Sequence, residues 1–264
     1  MEQIAYRRAQ RYVAGTGLQD AVAVIKRLES KGLAVSLDFF GESETDPDAI
    51  ETVLRTYERA ASILQHTQAD VDLEIVPSHL GVDVSGDFYR ARVEAILEIL
   101  PANSRLRISA EESWRTPTIV ETSLALARAG ASIVQTLQAN LLRSDHDADM
   151  LIDAGVPVRL VKGTYVESPD VSRRLGDDTD LAYIQLAHKL HGGGSHLSLG
   201  THDPVITESL LLALPNTGVE MLLGVRESDA IDLVSRGHHV RIYVPFGESW
   251  FRYWMRRLAE SRGS

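Results

Sequence analysis

The sequence of 264 residues contains no cysteine. Disulfides, thiolate nucleophiles, iron–sulfur clusters and thiolate zinc sites are therefore excluded. No run approaches the roughly 20 apolar residues that a membrane-spanning helix requires, and the first residues lack the apolar segment of a secretion signal. We expect a soluble, cytoplasmic protein, and peripheral contact with the inner face of a membrane is compatible with this composition.

Basic residues are also scarce, with 27 lysines and arginines against 37 acidic residues and a formal net charge of −10. Nucleic-acid binding depends on clustered cations, so no nucleic-acid partner is expected. The signatures G-x-S-x-G, H-E-x-x-H, the P-loop and G-x-G-x-x-G are absent as well. His188 and His191 have a spacing that could face a metal, but an exposed helix end explains them better, and no metal site is predicted.

Short apolar or β-branched runs alternate with longer helical segments along the whole chain. The predicted strands are Leu33–Leu37, Val71–Val76, Leu106–Ser109, Ser132–Thr136, Val158–Lys162, Leu197–Gly200, Val219–Leu222 and Val240–Val244. The predicted helices are Leu18–Ser30, Pro47–His66, Gly86–Leu100, Thr116–Ala129, Asp145–Ala154, Asp177–His191, Pro204–Leu214, Arg226–Arg236 and Glu248–Glu260. Asp46, Thr116 and Asp203 each precede a proline and are predicted helix caps.

Eight strand–helix units in a chain of this length predict a (β/α)8 barrel, whereas a doubly wound sheet would show fewer strands or a nucleotide fingerprint. A single domain over residues 1–264 is expected, with an N-terminal helical extension of about 30 residues. In such a barrel the chemistry gathers at the carboxyl ends of the strands. The polar residues found there are Asp38, Ser78, His79, Glu111, Glu112, Gln135, Lys162, Thr201, His202, Asp203 and Tyr243.

One arginine lies within a predicted strand. Arg159 and Val161 point to one side of it, and Leu160 and Lys162 to the other. An arginine inside a barrel is costly without a partner. A bound cofactor would satisfy it, and so would an ion pair with one of the acids at positions 111 and 112.

The last predicted helix carries a polar face formed by Tyr253, Arg256, Arg257 and Glu260 at helical spacing. This face could clamp a small anion, or it could be an ordinary solvated surface. A neighbouring apolar stripe, which begins at Trp250, would allow the helix to pack on one flank.

Several segments in order resemble the signature blocks of the FAD-dependent proline dehydrogenases. The segments are 37–42 (LDFFGE), 134–135 (VQ), 159–165 (RLVKGTY), 201–203 (THD), 220–224 (EMLLG), 243–247 (YVPFG) and 253–260 (YWMRRLAE). The likeness covers almost the whole chain and is to the short, monofunctional bacterial type.

This resemblance implies a distorted (β/α)8 barrel whose last helix lies over the mouth. The implied reaction oxidises the C–N bond of proline to 1-pyrroline-5-carboxylate, with hydride passed to FAD and electrons to a quinone-type acceptor. The implied roles place Arg159 near the reactive nitrogen of the flavin and Arg256 and Arg257 on the substrate carboxylate. Tyr165, Leu222, Tyr243 and Tyr253 would wall the ring, and Gln135, Val161, Lys162, Gly163, Thr164, Thr201, His202 and Glu260 would hold the FAD.

Two positions depart from the family pattern. Val76 stands where the family usually has a lysine, and Ser109 where it has an aspartate. One charge of each sign is lost, so binding of a carboxylate could survive in a reshaped pocket. Two alternatives follow, namely the same flavin chemistry on another amino or imino acid, and a barrel that binds carboxylates without catalysis.

Overall fold

Eight parallel strands close into a barrel in the computed structural model, which describes residues 11–39, 41 and 43–251. The strands are hydrogen-bonded in chain order, and β8 pairs with β1. They are β1 Ala34–Phe39, β2 Val71–Ile75, β3 Leu106–Ile108, β4 Ile133–Gln138, β5 Val158–Val161, β6 Leu197–Gly200, β7 Gly218–Leu222 and β8 Val240–Phe246. The predicted (β/α)8 barrel is confirmed.

Helices follow the strands and cover the outer face of the barrel. They are α1 Leu18–Glu29, α2 Pro47–Leu64, α3 Gly86–Ile99, α4 Thr116–Arg128, α5 Ser144–Asp153, α6 Asp177–Gly192, α7 Pro204–Ala213 and α8 Glu227–Ser235, with a short 3-10 helix at Pro77–Leu80. None of the helices in the described part of the chain is long and apolar enough to cross a membrane. Most of the predicted last helix lies outside the described residues.

Two of the three predicted helix caps are confirmed. The carboxylate of Asp46 accepts from the amide of Asp48 at 3.1 Å, and that of Asp203 accepts from the amides of Val205 and Ile206. The cap predicted at Thr116 is wrong. Its residue is already the first of α4, and its hydroxyl donates backward to a carbonyl of the preceding turn instead.

The seam between β8 and β1 is covered by α1, which precedes the barrel in the chain. This helix turns Ala21, Ile25 and Leu28 inward, and all three are buried. The segment before it is tied to the end of β8, where the amide of Ala14 donates to the carbonyl of Pro245 at 2.8 Å. A helix from the N-terminal side thus completes the outer layer at this seam.

Strand alternation divides the core into two parts. In β2, the sequence V-D-L-E-I sends Val71, Leu73 and Ile75 into the apolar layer under the helices. The intervening acids Asp72 and Glu74 bond to arginines of other strands, so they face the interior of the barrel. The apolar core therefore lies between barrel and helices, and the interior itself is charged.

One buried tyrosine ties α2 to the strand ends beneath it. The hydroxyl of Tyr57 donates to the carbonyl of Phe39 at 3.1 Å and accepts from the amide of Val76 at 3.2 Å. Tyr57→Phe should lower the free energy of unfolding by about 1–3 kcal/mol, because a buried amide loses its acceptor. Chemical denaturation of both proteins measures this difference.

Tyr89→Phe is the matched control for that change. Tyr89 is equally buried, but its hydroxyl has no hydrogen-bond partner among the described residues. Its removal should leave stability unchanged or slightly raised. Equal losses in the two variants would contradict the role given to the hydroxyl of Tyr57.

Candidate active site

Three arginines and three acids pair inside the barrel. Arg107 donates to Asp72 at 2.9 Å and to Glu220, and Arg159 binds Glu74 through both terminal nitrogens. Arg241 completes the set, with a nitrogen 3.4 Å from Asp72 and a further contact to Asp70 at the amino-terminal end. Each of the six interior side chains is at most about a tenth exposed to solvent. The interior is therefore a charge-balanced network.

Arg159 binds the acid of this network that lies towards the carboxyl ends of the strands, since Glu74 also accepts from Ser109 beyond the end of β3. Its Nη1 is 2.7 Å from Oε2 of Glu74 and its Nε is 3.0 Å from Oγ1 of Thr136. Burial opposes its charge, but Glu74 and Glu220 outweigh burial and raise the pKa of Arg159 above its ordinary value. Arg159 is thus a permanent cation held in a fixed orientation.

The acids of the interior differ in how firmly they hold protons. Burial opposes ionisation of Glu220, but Arg107, Arg159 and Arg241 together keep its pKa below the ordinary value. Asp38 on β1 behaves in the opposite way, because burial and the charge of Glu74 raise its pKa well above the usual range. Asp38 therefore retains its proton to a higher pH than an ordinary aspartate does.

Tyr243 and Leu222 stand side by side at the mouth. They are partners in the register of β7 and β8, and both are half-buried. The hydroxyl of Tyr243 donates to Asp38 on the neighbouring strand β1. The amide of Leu222 donates to Nε2 of His202 at 3.0 Å. The loop after β6 is thereby tied to the end of β7.

The two departures from the family pattern lie on adjacent strand ends. Val76 follows β2 and is half-buried, and Ser109 follows β3. The hydroxyl of Ser109 donates to Oε1 of Glu74 at 2.5 Å. The serine is thus joined to the same carboxylate that holds Arg159, a contact that the sequence motifs did not indicate.

Glu111 is a second buried acid near the mouth. It accepts from the amide and the hydroxyl of Ser78, at 2.7 and 2.5 Å. Burial raises the pKa of Glu111 to about 6, although Ser78 and Arg115 favour its charged form. The alternative that Glu111 or Glu112 pairs with Arg159 is wrong, since both acids lie beside Arg115.

The loop after β5 approaches the loop after β4 closely. Gly163 has a left-handed backbone with φ of +106°, and a Cβ placed on it would lie 2.0 Å from Oδ1 of Asn140. That oxygen is buried and has no hydrogen-bond partner among the described residues. Lys162 beside it pairs with Asp180 at 2.6 Å and with Asp203 at 3.4 Å. The loop is thus anchored on one flank and tightly packed on the other.

Most of the predicted cofactor residues converge here, but Gln135 does not. Its amide oxygen accepts from Ser123 of α4 at 2.5 Å, so its side chain lies on the helical side of the wall. Gln138, on the opposite face of the same strand, donates to the carbonyl of Glu111 at 2.7 Å. Gln138 is the glutamine that reaches the mouth.

The remaining predicted residues divide into two sets. At the mouth, Val161 ends β5, Thr201 is buried after β6, Tyr165 is half-buried and Thr164 is exposed. Outside the described residues lie Tyr253, Arg256, Arg257 and Glu260. Their predicted position over the mouth stays a prediction.

Comparison with known proteins identifies the family. The family model described as proline dehydrogenase matches residues 21–264. Proline dehydrogenase 1 of Bacillus subtilis subsp. natto is 29% identical over 260 residues, which cover 96% of this chain and 86% of that protein. Proline dehydrogenase of Deinococcus radiodurans is 28% identical over 281 residues, covering 99% and 90%.

Solved structures share the fold at lower identity. Proline utilization A of Bdellovibrio bacteriovorus, inactivated by N-propargylglycine, gives a TM-score of 0.87 at 18% identity, covering 96% of this chain and 32% of that one. Proline utilization A of Corynebacterium freiburgense gives 0.83 at 15% identity, covering 96% and 31%. The chain therefore spans about a third of these longer proteins.

The barrel, with its charged interior and polar mouth, belongs to the (β/α)8 oxidoreductases. The chain is a member of the proline dehydrogenase family, as the match over all but its first 20 residues shows.

The raised pKa of Glu111 predicts a pH-dependent stability. Between pH 4.5, its ordinary value, and about 6, the folded state holds a proton that the unfolded state has lost. The contribution of Glu111 to the free energy of unfolding is therefore fully present below this window. It is lost as pH rises through the window, which lowers the free energy of unfolding by up to about 2 kcal/mol. Glu111→Gln should abolish this part of the pH dependence in denaturant titrations.

Glu98→Gln removes an exposed glutamate of α3 and is the control. It should follow the wild-type profile at every pH. A Glu111→Gln variant whose stability keeps a constant difference from wild type across the window would refute the shift.

Proposed function

We propose that this protein oxidises proline to 1-pyrroline-5-carboxylate, using FAD as hydride acceptor and passing the electrons to a quinone-type acceptor. The substrate loses a hydride from the carbon beside nitrogen and a proton from nitrogen, which leaves a C=N bond. Membership of the proline dehydrogenase family supports the reaction class. The observation that carries the proposal is Arg159, a buried cation held at the mouth by Glu74 and Thr136.

The residues present fit a flavin cofactor. The buried Oδ1 of Asn140, which has no partner in the described ranges, and the left-handed Gly163 form a close approach that tolerates no side chain. Backbone of this kind is used where a ligand must come near. We assign FAD binding to Gly163, Lys162, Val161, Thr164, Thr201, His202 and Arg159, with Gln138 taking the part first expected of Gln135, and with Glu260 retained from the sequence.

When bound, FAD supplies the two-electron chemistry, and the protein supplies orientation and charge. Arg159 contributes a fixed positive charge that favours electron density developing nearby. Tyr243 and Leu222 offer an apolar and aromatic wall for a small ring, together with Tyr165 and, from the sequence, Tyr253. Such walls exclude water from a hydride transfer.

The substrate carboxylate is assigned to Arg256 and Arg257, whose spacing places both on one helical face. Guanidinium groups bind carboxylates through paired, charge-assisted hydrogen bonds. Each such bond is worth about 1.5–3 kcal/mol.

A second candidate is the same reaction on another amino or imino acid. The observation that favours it is the mouth beside Val76 and Ser109, where an apolar and a small hydroxyl side chain replace the family's charged pair. Loss of fixed charges changes which substrates fit. Anaerobic mixing of the FAD-loaded protein with proline, hydroxyproline, pipecolate and linear N-substituted amino acids separates the two candidates. Rapid bleaching of the flavin by proline supports the first, and bleaching only by another compound supports the second.

Gly163→Ala should lower FAD affinity by more than about tenfold, because the new Cβ would lie 2.0 Å from the side chain of Asn140 and the backbone would be strained. Gly155→Ala is the matched control, since Gly155 has φ of +65° but open space around its Cβ position. Flavin fluorescence titration measures both affinities. Equal affinity in the two variants would argue against a cradle at Gly163.

Arg256→Met and Arg257→Met should each reduce kcat/KM for the substrate about ten- to hundredfold while FAD stays bound, since each removes charge-assisted bonds to the carboxylate. Steady-state kinetics and the flavin spectrum measure the two effects. Arg55→Met, at an exposed position on α2, should change neither. An unaltered KM in both variants of the last predicted helix would contradict their role.

A further inference from the structure

The aspartate missing at position 109 leaves no gap in the charge balance of the barrel. Ser109 stands at that position, and its hydroxyl donates to Oε1 of Glu74, one strand away, at 2.5 Å. The same carboxylate binds both terminal nitrogens of Arg159. A carboxylate is therefore present beside position 109, but it is carried by β2 instead of β3.

Glu74 has the geometry of a positioning residue. A bidentate carboxylate fixes both the plane and the rotation of a guanidinium group. Together with the bond from Nε to Thr136, these contacts use three of the five N–H donors of Arg159. Two donors remain for other groups, and their direction is set by Glu74.

The other acid near Arg159 is less suited to this task. Glu220 lies 3.6 Å from Nη1 of Arg159, beyond hydrogen-bond distance. Its Oε1 already accepts from Arg107 and from Ser198. Glu220 belongs to the layer of Arg107, whereas within the described part of the chain the carboxylate of Glu74 bonds to Ser109 and Arg159 alone.

We propose that Glu74 positions Arg159 for the flavin reaction and partly neutralises it, in place of the aspartate that the family carries at position 109. The proposal rests on the proposed function, because Arg159 acts there on the cofactor. Glu74 touches neither substrate nor cofactor and acts through the guanidinium group.

Glu74→Gln tests the proposal in the FAD-loaded protein. Loss of the negative charge should shift the flavin equilibrium about tenfold towards the reduced form, which is about 30 mV for a two-electron couple. Loss of bidentate alignment should lower kcat about tenfold or more, with KM for proline changed less than about threefold. A reductive titration with dithionite reads the flavin equilibrium without any substrate.

Asp72→Asn is the matched control, because Asp72 is an equally buried acid paired with Arg107 and Arg241 deeper in the interior. It should lower thermal stability and leave the flavin equilibrium within about twofold of wild type. Ser109→Ala removes one hydrogen bond to Glu74 but leaves its charge in place, so it should shift the flavin equilibrium much less than Glu74→Gln does.

Relocation of the carboxylate provides a second test. The double change Glu74→Ser with Ser109→Asp returns the acid to β3, and it should restore kcat and the flavin equilibrium to within about threefold of wild type. Glu74→Ser alone should not. If Glu74→Gln does not fold, kcat and the flavin equilibrium of the relocated variant still test the role of Glu74.

Three results would overturn the inference. The first is a folded, FAD-loaded Glu74→Gln with unchanged flavin equilibrium and kcat, and the second is an equal shift in Asp72→Asn. The third is failure of both Glu74→Gln and the relocated variant to fold, which would make Glu74 purely structural. If proline does not reduce the wild-type flavin, the proposed function fails, but the dithionite titration still reports on Glu74.

Discussion

The pairing of Arg159 with Glu74 inside the barrel governs much of the rest of this structure. A buried guanidinium group needs compensation, because several kcal/mol of desolvation oppose each buried ion. Here the compensation is complete, with Arg107, Arg159 and Arg241 set against Asp72, Glu74 and Glu220. Balance of this kind permits a cation to lie inside a barrel whose charged side chains are almost fully buried.

The same balance explains the protonation of the acids around it. Asp38 lies next to an interior already neutralised by three pairs, so an additional negative charge there has no arginine of its own. Burial and Glu74 raise its pKa, and it accepts a hydrogen bond from Tyr243. Most (β/α)8 barrels fill this space with branched apolar side chains. This barrel fills it with ion pairs, which makes each arginine depend on partners from other strands.

The sequence predicted the fold well because strand and helix periods differ, and eight alternations leave few architectures. It also contained the signal for the charged interior. Strand β2 reads V-D-L-E-I, and with helices covering its outer face the acids can only point inward. Treating Val71–Val76 as one apolar or β-branched run makes no use of this alternation.

Gln135 is a single residue at which ignoring strand alternation led to a misplaced side chain. Thr136 faces Arg159, so the strand period of two sends Gln135 outward and Gln138 inward. Motif matching without this parity chose a glutamine whose side chain bonds to a helix. The hydrogen bond between Ser109 and Glu74 joins the ends of two strands, and the local sequence of neither strand predicts it. Thr116 is not the cap of α4, because the helix begins at Thr116 itself, one residue earlier than the proline suggests.

The helix α1 has a consequence for how such a protein can diversify. Ala21, Ile25 and Leu28 shield the seam where β8 meets β1, so part of the outer layer comes from residues that precede the first strand. A substitution at any of these three positions acts on the first and the last strand together, because one helix covers both. Variation in the stretch before β1 is therefore limited to what both strands can accommodate.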